Sequence, residues 1–223
     1  MEMKSKYYCL FFLLVSTAWE ARAEPGRNVL LLISDNQSWF DLGCYGNAVV
    51  KSPNIDRLAA EGVRFEQGFA TTASCGPSRA VIYSGLLTHS NGQYAHPHRE
   101  HNQEIRPEVV TVFSMLKGNG YRTGLIGKDH IRPLEKYPID FKPTRRRGSR
   151  DVDWMAEQAS QFMAEETDAP FFLVVSFSDP HPISIEGVAW GVPEKEEGYQ
   201  PVQYDLSSIE VPPFLPDNDE VKE

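Results

Sequence analysis

Two continuous apolar runs of strand length constrain this chain more than any other feature. They are Asn28-Val29-Leu30-Leu31-Leu32-Ile33-Ser34 and Pro170-Phe171-Phe172-Leu173-Val174-Val175-Ser176-Phe177. Neither alternates apolar with polar residues, so each is expected to be buried on both faces, like strands of a parallel sheet covered by helices. Between them, helical and extended patterns alternate. Ser52 or Asn54 caps a helix that Gly62 ends, and Val63 to Phe69 alternates like a strand. Val109 to Leu116 reads as a helix stopped by Gly118 and Gly120, Tyr121 to Ile126 as a short strand, and Val152 to Ala164 as an amphipathic helix. This order predicts an α/β domain with a central, mainly parallel sheet flanked by helices.

In such a sheet the carboxyl ends of the strands share one edge, and ligands bind there. Four polar clusters fall at predicted strand ends or a helix start: Asp35-Asn36, Cys75 to Arg79, Lys128-Asp129-His130, and Asp179-Pro180-His181. Each alone is compatible with a turn or a solvated strand end; together they define a candidate site. The run Ser74-Cys75-Gly76-Pro77-Ser78-Arg79-Ala80 adds a thiol at a helix start, with Pro77 suited to the first turn and Arg79 one turn on. A cation or a helix N-terminus lowers a thiol's pKa, so Cys75 is either a nucleophile or a buried structural cysteine.

Charge excludes one class of partner. Acidic residues number 31 against 22 basic, a net charge of −9, and no half of the chain is a basic nucleic-acid surface. The excess concentrates beyond Glu186, leaving the preceding part nearly balanced, where an anionic substrate can dock on locally focused Arg and Lys. Arg145-Arg146-Arg147 is either such a patch or a solvated loop. At the N-terminus, Lys4 and Lys6 precede the apolar run Cys9 to Val15, and Ala21-Arg22-Ala23 forms an A-x-A site, so residues 1–23 read as a cleaved signal peptide. That run is too short to span a bilayer, and no stable membrane anchor is expected. The mature chain, 24–223, is then secreted or periplasmic and keeps only Cys44 and Cys75, too few for a disulfide framework. Cys44 reads as structural.

Cys75-Gly76-Pro77-Ser78-Arg79 followed by Ala80-Val81-Ile82-Tyr83-Ser84-Gly85 resembles the signature of the type I sulfatases, whose usual ending is Leu-Thr-Gly. The similarity extends from Arg27 to about Pro216. It includes Pro53-Asn54-Ile55-Asp56-Arg57-Leu58 and Thr123-Gly124-Leu125-Ile126-Gly127-Lys128-Asp129-His130. Tyr137-Pro138-Ile139-Asp140-Phe141 and the segment from Pro170 to His181 resemble the heparan N-sulfatase (sulfamidase) branch in particular. The resemblance implies an alkaline-phosphatase-like fold and hydrolysis of a sulfate ester or sulfamate on a sulfated saccharide. It implies that Cys75 is converted to formylglycine by a formylglycine-generating enzyme, and that the hydrate attacks sulfur. By position, Asp35, Asn36 and the converted Cys75 would hold one calcium ion; the family usually has a second aspartate where Asn36 stands. Arg79 would hold the hydrate, Lys128 and His130 would hydrogen-bond the hydrate or sulfate, and His181 would contact the sulfate and protonate the leaving group.

The histidines His96, His98 and His101 show an H-x-H-x-x-H spacing that invites a zinc reading, without a regular element to fix it. A loop lining the substrate pocket is the other reading. Sulfatases draw further metal ligands, an Asp-Asn pair before a glycine, from a segment beyond the length of this chain, and Asp217-Asn218 lacks the glycine. The resemblance therefore implies a catalytic domain truncated at its C-terminus, inactive and poorly stable by itself. Two rival functions remain: a non-catalytic relative that binds sulfated glycans, and a phosphodiesterase-like hydrolase, which would usually carry Ser or Thr at position 75.

Overall fold

Three strands pair into one parallel sheet in the computed structural model, which describes residues 26–98, 100–145, 148–181, 204–209, 211–212, 215–216 and 218. The expected signal peptide, Arg146, Arg147, Asp217 and most of the acidic segment lie outside the described residues. The strands are β1 (Val29–Ile33), β2 (Arg122–Gly127) and β3 (Phe171–Ser176), in the order β1-β3-β2. Ile33 and Gly127 both stand opposite Ser176, so all three strands end level and deliver the residues that follow them to one edge.

The apolar run of β3 is explained by its central place. Its residues point alternately to two faces, and all six are buried. Phe172 and Val174 join Tyr83, Phe113 and Leu125 on one face; Phe171, Leu173 and Val175 join Ile126, Met155 and Phe162 on the other. The first face is covered by α2 (Cys75–Ser84) and α4 (Val112–Gly118), the second by α5 (Val152–Met163). Phe113 lies edge-on to Tyr83, Tyr137 and Phe172, with ring centroids 5.3, 6.0 and 5.0 Å away. Such pairs contribute about 0.5–1.5 kcal/mol each beyond area burial.

Two expectations about strands are corrected. Strand β1 is not buried on both faces: Val29, Leu30 and Leu32 are 40%, 45% and 53% exposed, because among the described residues β1 pairs with β3 alone and Leu30 and Leu32 join neither core cluster. Val63 to Phe69 forms no strand, and Val63, Phe65 and Phe69 are exposed. Alternation alone makes no strand where no neighbouring strand accepts its hydrogen bonds.

Helix α1 (Pro53–Glu61) opens on Pro53 and ends at Gly62 as expected, but the Ser52 side chain does not cap it. Ser52 Oγ accepts from Gly43 N–H and donates to Asp56 Oδ1, both at 2.9 Å, and Asp56 also accepts from Cys44 N–H at 2.7 Å. Those bonds pin the turn that carries Cys44, in keeping with a structural place for that residue. The remaining helix, α3 (Thr88–Asn91), is one turn that leads into the histidine-bearing loop. Among the described residues no helix is long and apolar enough to cross a membrane.

Candidate active site

The level strand ends bring all four polar clusters together. Asp35 N–H donates to the Asp179 carbonyl at 3.1 Å, joining the segments after β1 and β3, and Lys128 N–H donates to the Ser176 carbonyl at 2.8 Å, joining those after β2 and β3. Asp35 is buried and accepts from Lys128 Nζ, with the Arg79 guanidinium 3.9 Å from the same carboxylate oxygen. Arg79, also buried, donates to Ser176 Oγ. Its bonds thus run to the ends of the sheet rather than back to Cys75 at the start of its own helix. Two residues that follow strands adopt left-handed backbone, Asn36 (φ 65°) and His130 (φ 47°). Non-glycine residues in that region are uncommon and concentrate at functional sites.

Cys75 occupies the first turn of α2, as the sequence predicts, and is a free thiol. Its sulfur lies 4.0 Å from His96 Nδ1, and His96 Nε2 lies 3.3 Å from Ser74 Oγ. The Ser74 hydroxyl therefore orients His96 instead of capping the helix. Gly76 makes room for this loop: a Cβ there would stand 3.1 Å from His96 Nδ1 and 3.2 Å from Gln93 Nε2. The rings of His96, His98 and His130 are mutually close, with centroids 5.0 to 5.6 Å apart. His101 is exposed and outside this cluster, so the three-histidine zinc spacing is not realised, whereas His96 and His98 do line the cleft.

The cleft measures about 800 Å³, and Cys75, His96, Lys128, His130, Arg150 and His181 contribute to its wall. Burial, and then the charge of Lys128, push the His130 pKa down to about 4, and burial followed by His98 lowers that of His96. Both rings are neutral at pH 7, each able to donate one N–H. Asp129 resists the opposing effect of burial because Lys142 bonds to it at 2.7 Å, which holds its carboxyl below the usual range. Arg150 binds the Asp179 carboxylate and the His181 carbonyl, fastening the His181 segment to the cleft rim. Ser176 and Arg150 carry no sequence signal of their own, whereas His96 belongs to the histidine cluster that the sequence offers as a loop lining the pocket, and it does line the cleft.

Residues 27–208 match the family model described as Sulfatase. The chain belongs to the sulfatase family. Among curated sulfatases, human N-sulphoglucosamine sulphohydrolase is 34% identical over 211 residues, covering 87% of this chain and 42% of that protein. The ulvan-active sulfatase of Formosa agariphila is 29% identical over 156 residues, covering 69% of this chain and 30% of its own length. A solved protein in complex with its substrate D-glucosamine-2-N,6-O-disulfate superposes with a TM-score of 0.59 at 25% identity, covering 70% of this chain and 35% of that one. A 2-O GAG sulfatase matches equally in fold, with a TM-score of 0.59 at 24% identity, 70% of this chain and 35% of its own. The parallel sheet with helices on both faces is thus the sulfatase fold, and the chain spans less than half the length of these relatives.

The calcium expectation meets a different geometry. Calcium takes six to eight oxygen ligands. Asp35 already faces Lys128 and Arg79, Asn36 is exposed beside it, and among the described residues no cluster of three His, Cys, Asp or Glu ligand atoms includes Asp35. The described donor set does not by itself make a calcium site. Formylglycine poses no such difficulty, since residue 75 faces the cleft from a helix N-terminus beside neutral imidazoles.

Proposed function

We propose that this chain is the N-terminal catalytic part of a sulfatase that hydrolyses a sulfate ester or a sulfamate on a sulfated saccharide. The observation that carries the reading is the meeting of Cys75, Lys128, His130 and His181 in one cleft at the strand ends of a family member. Human N-sulphoglucosamine sulphohydrolase, covered over 87% of this chain, favours an amino-sugar substrate class.

Converted to formylglycine, residue 75 supplies a hydrated aldehyde oxygen as the nucleophile toward sulfur. The chain's own groups prepare the sulfate for it. The Lys128 ammonium, on the cleft wall, shares its charge between Asp35 and an incoming anion. Neutral His130 and His96 donate hydrogen bonds without adding charge, and His181, on the same wall, protonates the departing oxygen or nitrogen as its bond to sulfur breaks. Arg79 holds Asp35 and Ser176 in place behind the reacting groups. A cation bound at Asp35 and Asn36 needs oxygen donors beyond those described, and no step above depends on one.

The test is peptide mass spectrometry of residue 75 in protein secreted by its own host, followed by sulfate release from N- and O-sulfated glucosamine by the longest native form. A loss of roughly 18 Da, the thiol-to-aldehyde change, together with sulfate release is the expected result. An unmodified thiol in a host with a competent converting enzyme overturns the mechanism. Conversion without release favours the second reading, a sulfated-glycan-binding relative without turnover, which the pairing of Asp35 with Lys128 and Arg79 supports.

A further inference from the structure

We propose that the chain carrying an unconverted thiol at residue 75 binds one zinc ion between Cys75, His96 and His130. These three residues come from three separate parts of the fold: the first turn of α2, the loop after α3, and the segment after β2. Each offers a ligand atom, and the three atoms lie within 4.8 Å of one another. The sulfur and His96 Nδ1 are 4.0 Å apart, and the His96 and His130 rings meet at 5.6 Å between centroids, nearly perpendicular.

Two further features point to a ligand. His130 Nδ1 is buried without a hydrogen-bond partner, a state that buried nitrogen atoms rarely keep. His96 already has its other nitrogen beside Ser74 Oγ, which turns Nδ1 toward the sulfur. An outer hydrogen bond that fixes the ring is the usual accompaniment of a metal-binding histidine.

The donor chemistry selects the metal. One thiolate and two imidazoles suit zinc, and calcium would refuse all three. Tetrahedral zinc, with bonds of about 2.3 Å to sulfur and about 2.0–2.1 Å to nitrogen, needs ligand atoms about 3.3–3.6 Å apart. Closing the set therefore takes movements of about an ångström or less by side chains on a cleft wall. The fourth position faces the cleft and takes water or an anion. On binding, the thiol loses its proton to solvent and sulfur keeps its electron pair, so no oxidant is required. The nearest cations, Lys128 and Arg79, share the single carboxylate of Asp35, so one positive charge remains to oppose the metal, offset in part by the thiolate charge.

Conversion of residue 75 to an aldehyde removes the sulfur and leaves two imidazoles, so the site exists only in the unconverted chain. The inference does not depend on sulfatase turnover and stands or falls separately from it.

Cobalt(II) and zinc(II) are the probes, added to the full chain after its residue 75 has been verified as a thiol by mass. One equivalent of cobalt should give a thiolate-to-cobalt charge-transfer band in the near ultraviolet and tetrahedral visible bands, both displaced by zinc. C44S should keep the band, C75S should abolish it, and H96N and H130N should each weaken uptake by at least about tenfold. Circular dichroism of C75S checks that the loss is not a folding failure. Absence of the band in the parent chain overturns the proposal, as does a band that survives C75S. Cobalt affinity of H96N and H130N within about twofold of the parent would also overturn it.

Discussion

Replacing Asp35 by alanine tests the electrostatic frame on which every other group at the strand ends rests. The Asp35 side chain is 5% exposed, and its two cationic neighbours, Arg79 and Lys128, are 3% and 10% exposed. Removing one member of a buried ion pair leaves an uncompensated charge and typically costs about 3–5 kcal/mol. Lys128 Nζ bonds Asp35 directly, whereas Arg79 sits at 3.9 Å and keeps Ser176, so most of the loss falls on Lys128. Lys128 also reaches the cleft, where water relieves part of its penalty, which places the expectation near 3 rather than 5 kcal/mol. For a chain of this size each kcal/mol moves Tm by about 2–4 °C, so D35A should melt about 6–12 °C below the parent. Urea unfolding followed by circular dichroism measures the same quantity. The double variant D35A/K128M should recover part of the loss, because replacing both partners by apolar groups is nearly neutral. A D35A penalty under about 1 kcal/mol, or a double variant no more stable than the single one, would refute the reasoning.

Other expectations follow from named contacts. Gly127 sits at φ 89°, and a Cβ there would stand 2.2 Å from the Ser176 carbonyl oxygen and 2.8 Å from Met155 Cε. G127A should therefore lose about 2–6 kcal/mol in a thermal melt, from backbone strain and overpacking together. Phe113→Ala empties the centre of the aromatic cluster and should cost about 3–5 kcal/mol by urea unfolding. The His130 ring should titrate near pH 4 by NMR in the metal-free chain. Below the ordinary value near 6.5 the unfolded chain takes up a proton that the folded ring refuses, so the His130 contribution is complete above pH 6.5 and declines toward pH 4. H130N should flatten that part of the stability profile. Calcium added to this chain alone should leave Tm unchanged within about 1 °C, because Asp35 already faces Lys128 and Arg79 and the described residues bring no complete set of oxygen donors to it.

Much of the architecture was legible because β3 wears its environment openly. A run with no polar residue over the five positions from Phe171 to Val175 fits a strand covered on both faces, and the polar residues after it had to emerge at the sheet's edge. The same logic failed for β1, where the same apolar pattern has, among the described residues, one strand neighbour and leaves Leu30 and Leu32 exposed. Burial is a property of the neighbours, and a sequence shows only the demand for it. Val63 to Phe69 failed for a related reason, since alternation does not supply a pairing partner. Within the site, Cys75 and Arg79 were visible by spacing on one helix. The direction of the Arg79 side chain was not, because Ser176 lies 97 residues away and only the assembled sheet brings it within reach. His96 was likewise placed beside Cys75 by a loop whose course no periodicity announces.

The central position of β3 also sets a timetable. Strands β1 and β2 each pair with β3, so neither has its strand partner until residue 176 has been made. About a hundred residues separate Cys75 from that point, which at a synthesis rate of about 5–20 residues per second is roughly 5–20 s. During that interval residue 75 is chemically present while the sheet edge behind it does not yet exist. Whatever must reach this sulfur before the protein closes around it has a window fixed by the order of the strands.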